Sequence, residues 1–106
     1  MPLHRLQDTP VRELAPGLHA QVLHGDALSV MHVRVDAEAR LPRHAHPHEQ
    51  ATTVIRGRLL LTVGDEEYDL SPGMTAFIPS GVPHHAYAPE SCEVIDLFTP
   101  VREDLR

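Results

Sequence analysis

Cysteine is all but missing from this chain: Cys92 stands alone, so no internal disulfide can form and any staple must be something else. Long apolar runs are missing too. The longest aliphatic run, Leu59 to Leu61, falls far short of the ~20 residues a helix needs to cross a bilayer. Met1 to Pro10 has no apolar stretch behind its basic residues, which leaves no secretion signal to read. The chain is therefore expected to be soluble, unsecreted and cytoplasmic. A basic excess is absent as well. Lys and Arg number 9 against 15 Asp and Glu, a formal charge of −6, so there is no cationic footprint with which to neutralise phosphates or anionic lipid. Nucleic acid and membrane are not expected as partners. Finally, 10 prolines and 6 glycines among 106 residues leave little uninterrupted length for long helices. No repeat, linker or low-complexity tract breaks the chain, and its length suits one core rather than two.

What is present reads as an all-β domain. Short apolar stretches recur every ten residues or so with turn chemistry between them. Leu18 to Leu23 is one. Leu28 to Val35 alternates, with Met31, Val33 and Val35 on one face, Ser29 at its edge and Gly25-Asp26 as the preceding turn. Asp36 to Gln50, rich in charge, Pro and His, reads as a loop entering a short strand. Thr52 to Ile55 resumes β-branched character and Gly57 breaks it. Arg58 to Val63 runs through Gly64-Asp65 to Tyr68 and Leu70 as a hairpin, and Ser71-Pro72-Gly73 turns again. Met74 to Ile78 and Glu93 to Phe98 complete the strands, separated by a Pro- and His-rich segment from Pro79 to Pro89. Thr99 to Arg106 is polar enough to lie on the surface or fray.

Nine histidines in so short a chain point to a metal. His44 and His46 lie two apart in a segment that Pro42 and Pro47 hold extended, so both rings project to one side. The same parity reaches His48 and Gln50, while Glu49 points away unless a bulge intervenes. Gln50 is thus the candidate third ligand, or else it orients a ligating histidine. A fourth candidate, His84, stands with His85 at the start of another extended stretch, after the turn residues Pro79-Ser80-Gly81-Val82-Pro83. His48 and His85 read as surface groups or neighbours of ligands, either of which could replace one. His4, His19, His24 and His32 read as ordinary surface or satisfied histidines.

The spacing of these residues resembles that of the cupins. Their first motif carries His-x-His, three or four residues, Glu, six residues, Gly; here His44-Ala45-His46, Gln50 and Gly57 keep that spacing. Their second carries Gly, five residues, Pro-x-Gly, two residues, His; Gly73, Pro79-Ser80-Gly81 and His84 fit it. Three positions depart. Glu38 stands where the family has its first Gly, Gln50 replaces Glu, and Ala88 replaces a final Asn. The resemblance implies a double-stranded β-helix, the cupin jelly-roll barrel, with 1–106 as one domain and the motif region at about 28–100. It also implies one divalent metal ion (Ni, Zn, Fe, Mn or Co) held by His44, His46, Gln50 and His84. Three neutral imidazoles and a neutral amide leave the full +2 on the ion, where a carboxylate ligand would lower it to +1, so the site should favour a small anionic substrate.

A narrower resemblance is to the pectin-degradation (KdgF-like) cupins. It rests on His44 to Gln50, Ile78 to His84, and the ending Val94-Ile95-Asp96-Leu97-Phe98-Thr99-Pro100-Val101-Arg102-Glu103-Asp104. Between them, Ala51-Thr52-Thr53 is smaller than the pattern there. This resemblance implies a metal-dependent enzyme that opens the ring of 4,5-unsaturated uronic acid monomers to linear keto acids, and a homodimer. A non-catalytic metal- or sugar-binding module and a small-cupin iron dioxygenase are the alternatives. In the last strand, alternation places Cys92, Val94, Asp96 and Phe98 on one face. A carboxylate on a buried face needs a partner or a task, which makes Asp96 the candidate general base or acid. Ile95 and Leu97 could equally be the buried pair, leaving Asp96 outside. Phe98 would pack on the sugar and Arg102 would either pair with its carboxylate or lie at the surface.

Overall fold

The computed structural model describes residues 3–106, and its strands form two antiparallel sheets closed on one another as the expected jelly roll. In chain order the strands are β1 (Arg12–Ala15), β2 (Leu18–His24), β3 (Ser29–Val35), β4 (Arg40–His44), β5 (Glu49–Arg56), β6 (Leu59–Val63), β7 (Glu66–Leu70), β8 (Thr75–Ile78), β9 (His84–Tyr87) and β10 (Cys92–Thr99). Single 3₁₀ turns at Leu6–Asp8 and Glu103–Leu105 flank them. One sheet has six strands in the order β1-β2-β3-β10-β5-β8; the other has four, β4-β9-β6-β7. No helix among the described residues is long and apolar enough to cross a membrane.

Alternation decides what each strand buries. On β3, Ser29, Met31, Val33 and Val35 turn inward, and on β10 Cys92, Val94, Asp96 and Phe98 do. The two strands run antiparallel with Phe98 opposite Ser29, Asp96 opposite Met31, Val94 opposite Val33 and Cys92 opposite Val35. The four-stranded sheet shows the same gradation: His44, His84 and Val63 lie in one row, and Leu41, Ala86 and Leu61 in the next. The barrel interior is therefore polar at one end and aliphatic at the other. Phe98 and Ile78 are fully buried, each stabilising the fold by roughly 1.5–3 kcal/mol.

β1 carries no strand expectation, β4 falls in the segment read as a loop entering a short strand, and β9 falls in the Pro- and His-rich segment, where an extended stretch is expected to begin at His84. β1 and β4 are sheet edges with weak burial contrast, and an edge tolerates Pro42 because its missing N–H faces no partner. β9 is short, and it buries a histidine and an alanine, which carry no apolar signal. The C-terminal segment lies largely at the surface, one of the two courses expected of it. Leu105 packs against the core, and the Arg102 amide donates to the buried Ser29 hydroxyl at 2.9 Å, so this segment is fastened rather than frayed.

Gly57 sits at φ 81°, and a Cβ there would strike the Ser91 carbonyl oxygen and lie 2.7 Å from Cys92 Cα. Only glycine fits where β5 leaves its sheet. Glu38, at the position where the cupin pattern has glycine, holds φ 69°, a left-handed conformation that costs a residue with a Cβ roughly 1–2 kcal/mol.

Candidate metal centre and cavity

β4 ends at His44, the chain bends through Pro47 and His48, and β5 opens at Glu49 in the other sheet. The extended parity expected from His44 through to Gln50 is thus interrupted, and His46 is delivered by the link between sheets. The second motif reaches the same place. The Gly81 amide donates to the His46 carbonyl at 2.9 Å, and β9 pairs with β4 so that His84 faces His44. The rings of His44 and His84 are 4.3 Å apart between centroids, those of His46 and His84 4.9 Å. One ring nitrogen from each of the three histidines lies within 4.8 Å of the others.

The backbone orients these rings. His44 Nδ1 lies 2.9 Å from the Pro42 carbonyl, His84 Nδ1 2.9 Å from that of Val82 and His46 Nδ1 3.1 Å from that of His48. A carbonyl can only accept, so each ring carries a proton on Nδ1 and leaves Nε2 as a lone-pair donor. Burial pushes His84 down to about 4, helped by the neighbouring His44 and His46, and burial and Arg102 also lower His46. These two rings are therefore neutral near pH 7.

Two features fit a cation here. His84 Nε2 is buried with no hydrogen-bond partner among the described residues. Gln50 is buried, and its amide nitrogen donates to Thr52 Oγ1 at 2.9 Å and to Asp96 Oδ1 at 3.2 Å. That fixes its carbonyl oxygen toward His46 Nε2, 3.0 Å away. The neutral His46 ring has one proton and two acceptors facing it, so a lone pair is left against a lone pair. A positive ion resolves both conflicts, and imidazole with amide oxygen suits the divalent transition metals.

Asp96 is inside, 5% exposed. Its Oδ1 accepts from Thr52 Oγ1 at 2.6 Å and from Gln50. Burial raises it to about 6, against the opposing effect of those hydrogen bonds and of Arg102. With Oδ1 occupied as an acceptor, the proton of its neutral form falls on Oδ2. Arg102 is not a loose surface residue. Its side chain is 12% exposed, its guanidinium lies 4.6 Å over the Phe98 ring, and it forks onto Asp104 at 2.9 and 2.7 Å. That pair holds Asp104 down at about 2. Asp104 is itself largely exposed, so water can solvate its carboxylate when Arg102 turns to another partner.

His48, expected at the surface or beside the ligands, is buried edge-on to His46 and Phe98 but lies outside the cluster. His85 faces the other side of β9 from His84. His19, His24 and His32 rest on Asp36, Ser29 and Glu93. Two contributors escaped the sequence reading. Thr52 shares Gln50's strand parity, a signal that was there to use. Ser29, which anchors Arg102 from 73 residues away, has none.

His44, Gln50, His84, Asp96, Phe98 and Arg102 line one cavity of about 190 Å³, whose remaining walls are mostly aliphatic.

Comparison with known proteins agrees with this architecture. The family model described as "Cupin domain" matches residues 31–98. An RmlC-like cupin from Shewanella frigidimarina superposes with a TM-score of 0.93 at 29% identity, covering 100% of this chain and 96% of that one. KdgF from a Halomonas species gives 0.87 at 30% identity, with 94% of each chain covered. Among curated proteins, an uncharacterized protein of Streptomyces coelicolor is 28% identical over 85 residues, 79% of this chain and 81% of its own length. The chain also matches, at 33% identity over 76 residues (71% of its length), a dynein heavy chain-like protein 1 of Plasmodium falciparum, spanning only 1% of it.

Proposed function

Because this chain belongs to the cupin family, we propose that it is a metal-dependent enzyme opening the ring of 4,5-unsaturated uronic acid monomers. The observation that carries this reading is the linked set inside the barrel: Asp96 bonded to Gln50, and Gln50 turned to the His44, His46 and His84 cluster. Its likeness to KdgF supports it. A divalent ion held by the three histidines with Gln50 would supply positive charge that attracts a carboxylate and polarises the oxygens beside it.

The chain's own groups do the rest. Arg102 exchanges Asp104 for the uronate carboxylate as a planar fork, and Phe98, held under that guanidinium, sets one wall against the sugar. The cavity volume suits one small molecule rather than an oligosaccharide. The reaction is an isomerisation that needs only proton movement. The anomeric hydroxyl loses its proton as the C1–O5 bond breaks, O5 is protonated to an enol, and the enol becomes a ketone as C4 gains a proton. Asp96, buried beside Thr52 and Gln50, carries a proton at Oδ2 between these positions.

The conjugated double bond disappears in the product, so the test is ultraviolet absorbance decay of unsaturated galacturonate or guluronate monomers. Metal-loaded protein should speed the decay and chelated protein should not. Asp96→Asn should keep fold and metal and lose ~10²–10⁴ in rate. Decay at the spontaneous rate with loaded protein would remove this reading, and metal-dependent binding without turnover, or oxygen uptake, would replace it.

A further inference from the structure

The polar groups on the cavity wall account for only one end of it. Along β10 the inward row passes from Phe98 and Asp96 to Val94, and along β3 from Met31 to Val33 and Val35. Across the barrel, His44 and His84 give way to Leu41, Ala86 and Leu61, and beyond them Leu59. Residues two apart on a strand are displaced by ~6.6 Å, so the aliphatic rows extend about two such steps past the acid and the histidines. Val33, Val35, Leu41, Leu59, Leu61 and Ala86 all line the same cavity as Asp96 and Arg102. No hydroxyl or amide projects from those rows to serve a sugar's hydroxyls, and a sugar hydroxyl placed among them would lose its hydrogen bonds to water without replacement.

Resting on the reading that a carboxylate is received at the histidine and Arg102 end, we propose that the aliphatic half is a second subsite, which takes the apolar chain of a small carboxylate. The ligand class is a short amphipathic monocarboxylic acid, with its head among His44, His84 and Arg102 and its chain between Val33 and Leu61. The cavity of about 190 Å³ admits a head group and a short chain, and a chain longer than the aliphatic rows would outgrow it.

Calorimetric titration of the zinc-loaded protein with acetate, butyrate and hexanoate tests this directly. Each methylene that enters the aliphatic half should tighten binding ~4-fold, so butyrate should bind ~10-fold or more tighter than acetate, and the gain should flatten as the chain outgrows the cavity. Ala86→Leu, which fills that half, should cut hexanoate binding far more than acetate binding. Val33→Thr, close in shape, should reduce the gain per methylene. Affinities for acetate and hexanoate within twofold of one another would overturn the proposal. So would a chain-length gain that survives Ala86→Leu, since the chain would then lie elsewhere on the protein. Uronate turnover with no chain-length effect would leave the ring-opening reading standing without this subsite. A clear chain-length effect with no acceleration of the absorbance decay would do the reverse.

Discussion

Replacing Asp96 with asparagine should make the metal-free protein more stable at neutral pH while removing the group proposed to carry the proton. Burial raises the Asp96 carboxyl from 3.8 to about 6. Between those values the folded chain holds a proton that the unfolded chain has released, so stability falls as pH rises through this window. At about 1.4 kcal/mol per unit, a shift of about two units means ~3 kcal/mol lost once the group is ionised in both states. Asparagine keeps the acceptor used by Thr52 and Gln50 on Oδ1. Its NH₂ takes the place of the neutral acid's O–H, so the comparison isolates the charge. The expected gain from Asp96→Asn is under about 1 kcal/mol at pH 4 and about 3 kcal/mol at pH 7.5. Urea unfolding of both proteins with chelator present, at the two pH values, measures it. Added divalent ion should shrink the gain at pH 7.5, because a nearby positive charge restores the carboxylate. A gain equal at both pH values would point to packing and refute the reasoning, as would no gain at pH 7.5.

Chelation should lower the melting temperature, because His44, His46 and His84 come together only in the folded barrel. Free ion at 100 times its dissociation constant contributes about 2.7 kcal/mol, and a His44→Ala/His84→Ala double variant should lose both the ion, by elemental analysis, and this increment. Gln50→Glu should keep the ion but weaken anion binding by at least ~10-fold, since a carboxylate ~4 Å from another costs up to ~4 kcal/mol at an effective dielectric of ~20. The same change removes the donor to Asp96, so it should also destabilise the protein at neutral pH; equal uronate affinity in the two proteins would contradict the electrostatic account. Glu38→Gly should relieve the left-handed strain at φ 69°. After the entropy that glycine adds to the unfolded chain, a net gain of up to ~1 kcal/mol remains, read as a few degrees in a thermal melt.

The sequence by itself determined the fold class and pointed to the histidine cluster. Period-2 alternation of apolar residues survives any tertiary arrangement, so the inward faces of β3 and β10 could be read directly. The His44-Ala45-His46, Gly57 and Pro79-to-His84 spacings reflect where the backbone must turn, and Gly57 shows why: a side chain there has no room against Ser91 and Cys92. Edge strand β1 stayed hidden, and β4 and β9 showed only as extended stretches around their histidines, because all three bury little apolar surface and burial is the signal that alternation reports. For Asp96 the chain was balanced, since both faces of β10 carry apolar residues. Only packing of β10 between β3 and β5 in the larger sheet decided that the carboxylate faces inward. Tertiary structure also turned Gln50 by giving its amide two acceptors on β5 and β10, and it drew Arg102 under cover by tying its amide to Ser29. The Thr52–Asp96, Gln50–Asp96 and Arg102–Ser29 contacts join residues 44, 46 and 73 positions apart. Local periodicity carries no information at that range, and only the closing of the barrel brings such groups within hydrogen-bonding distance.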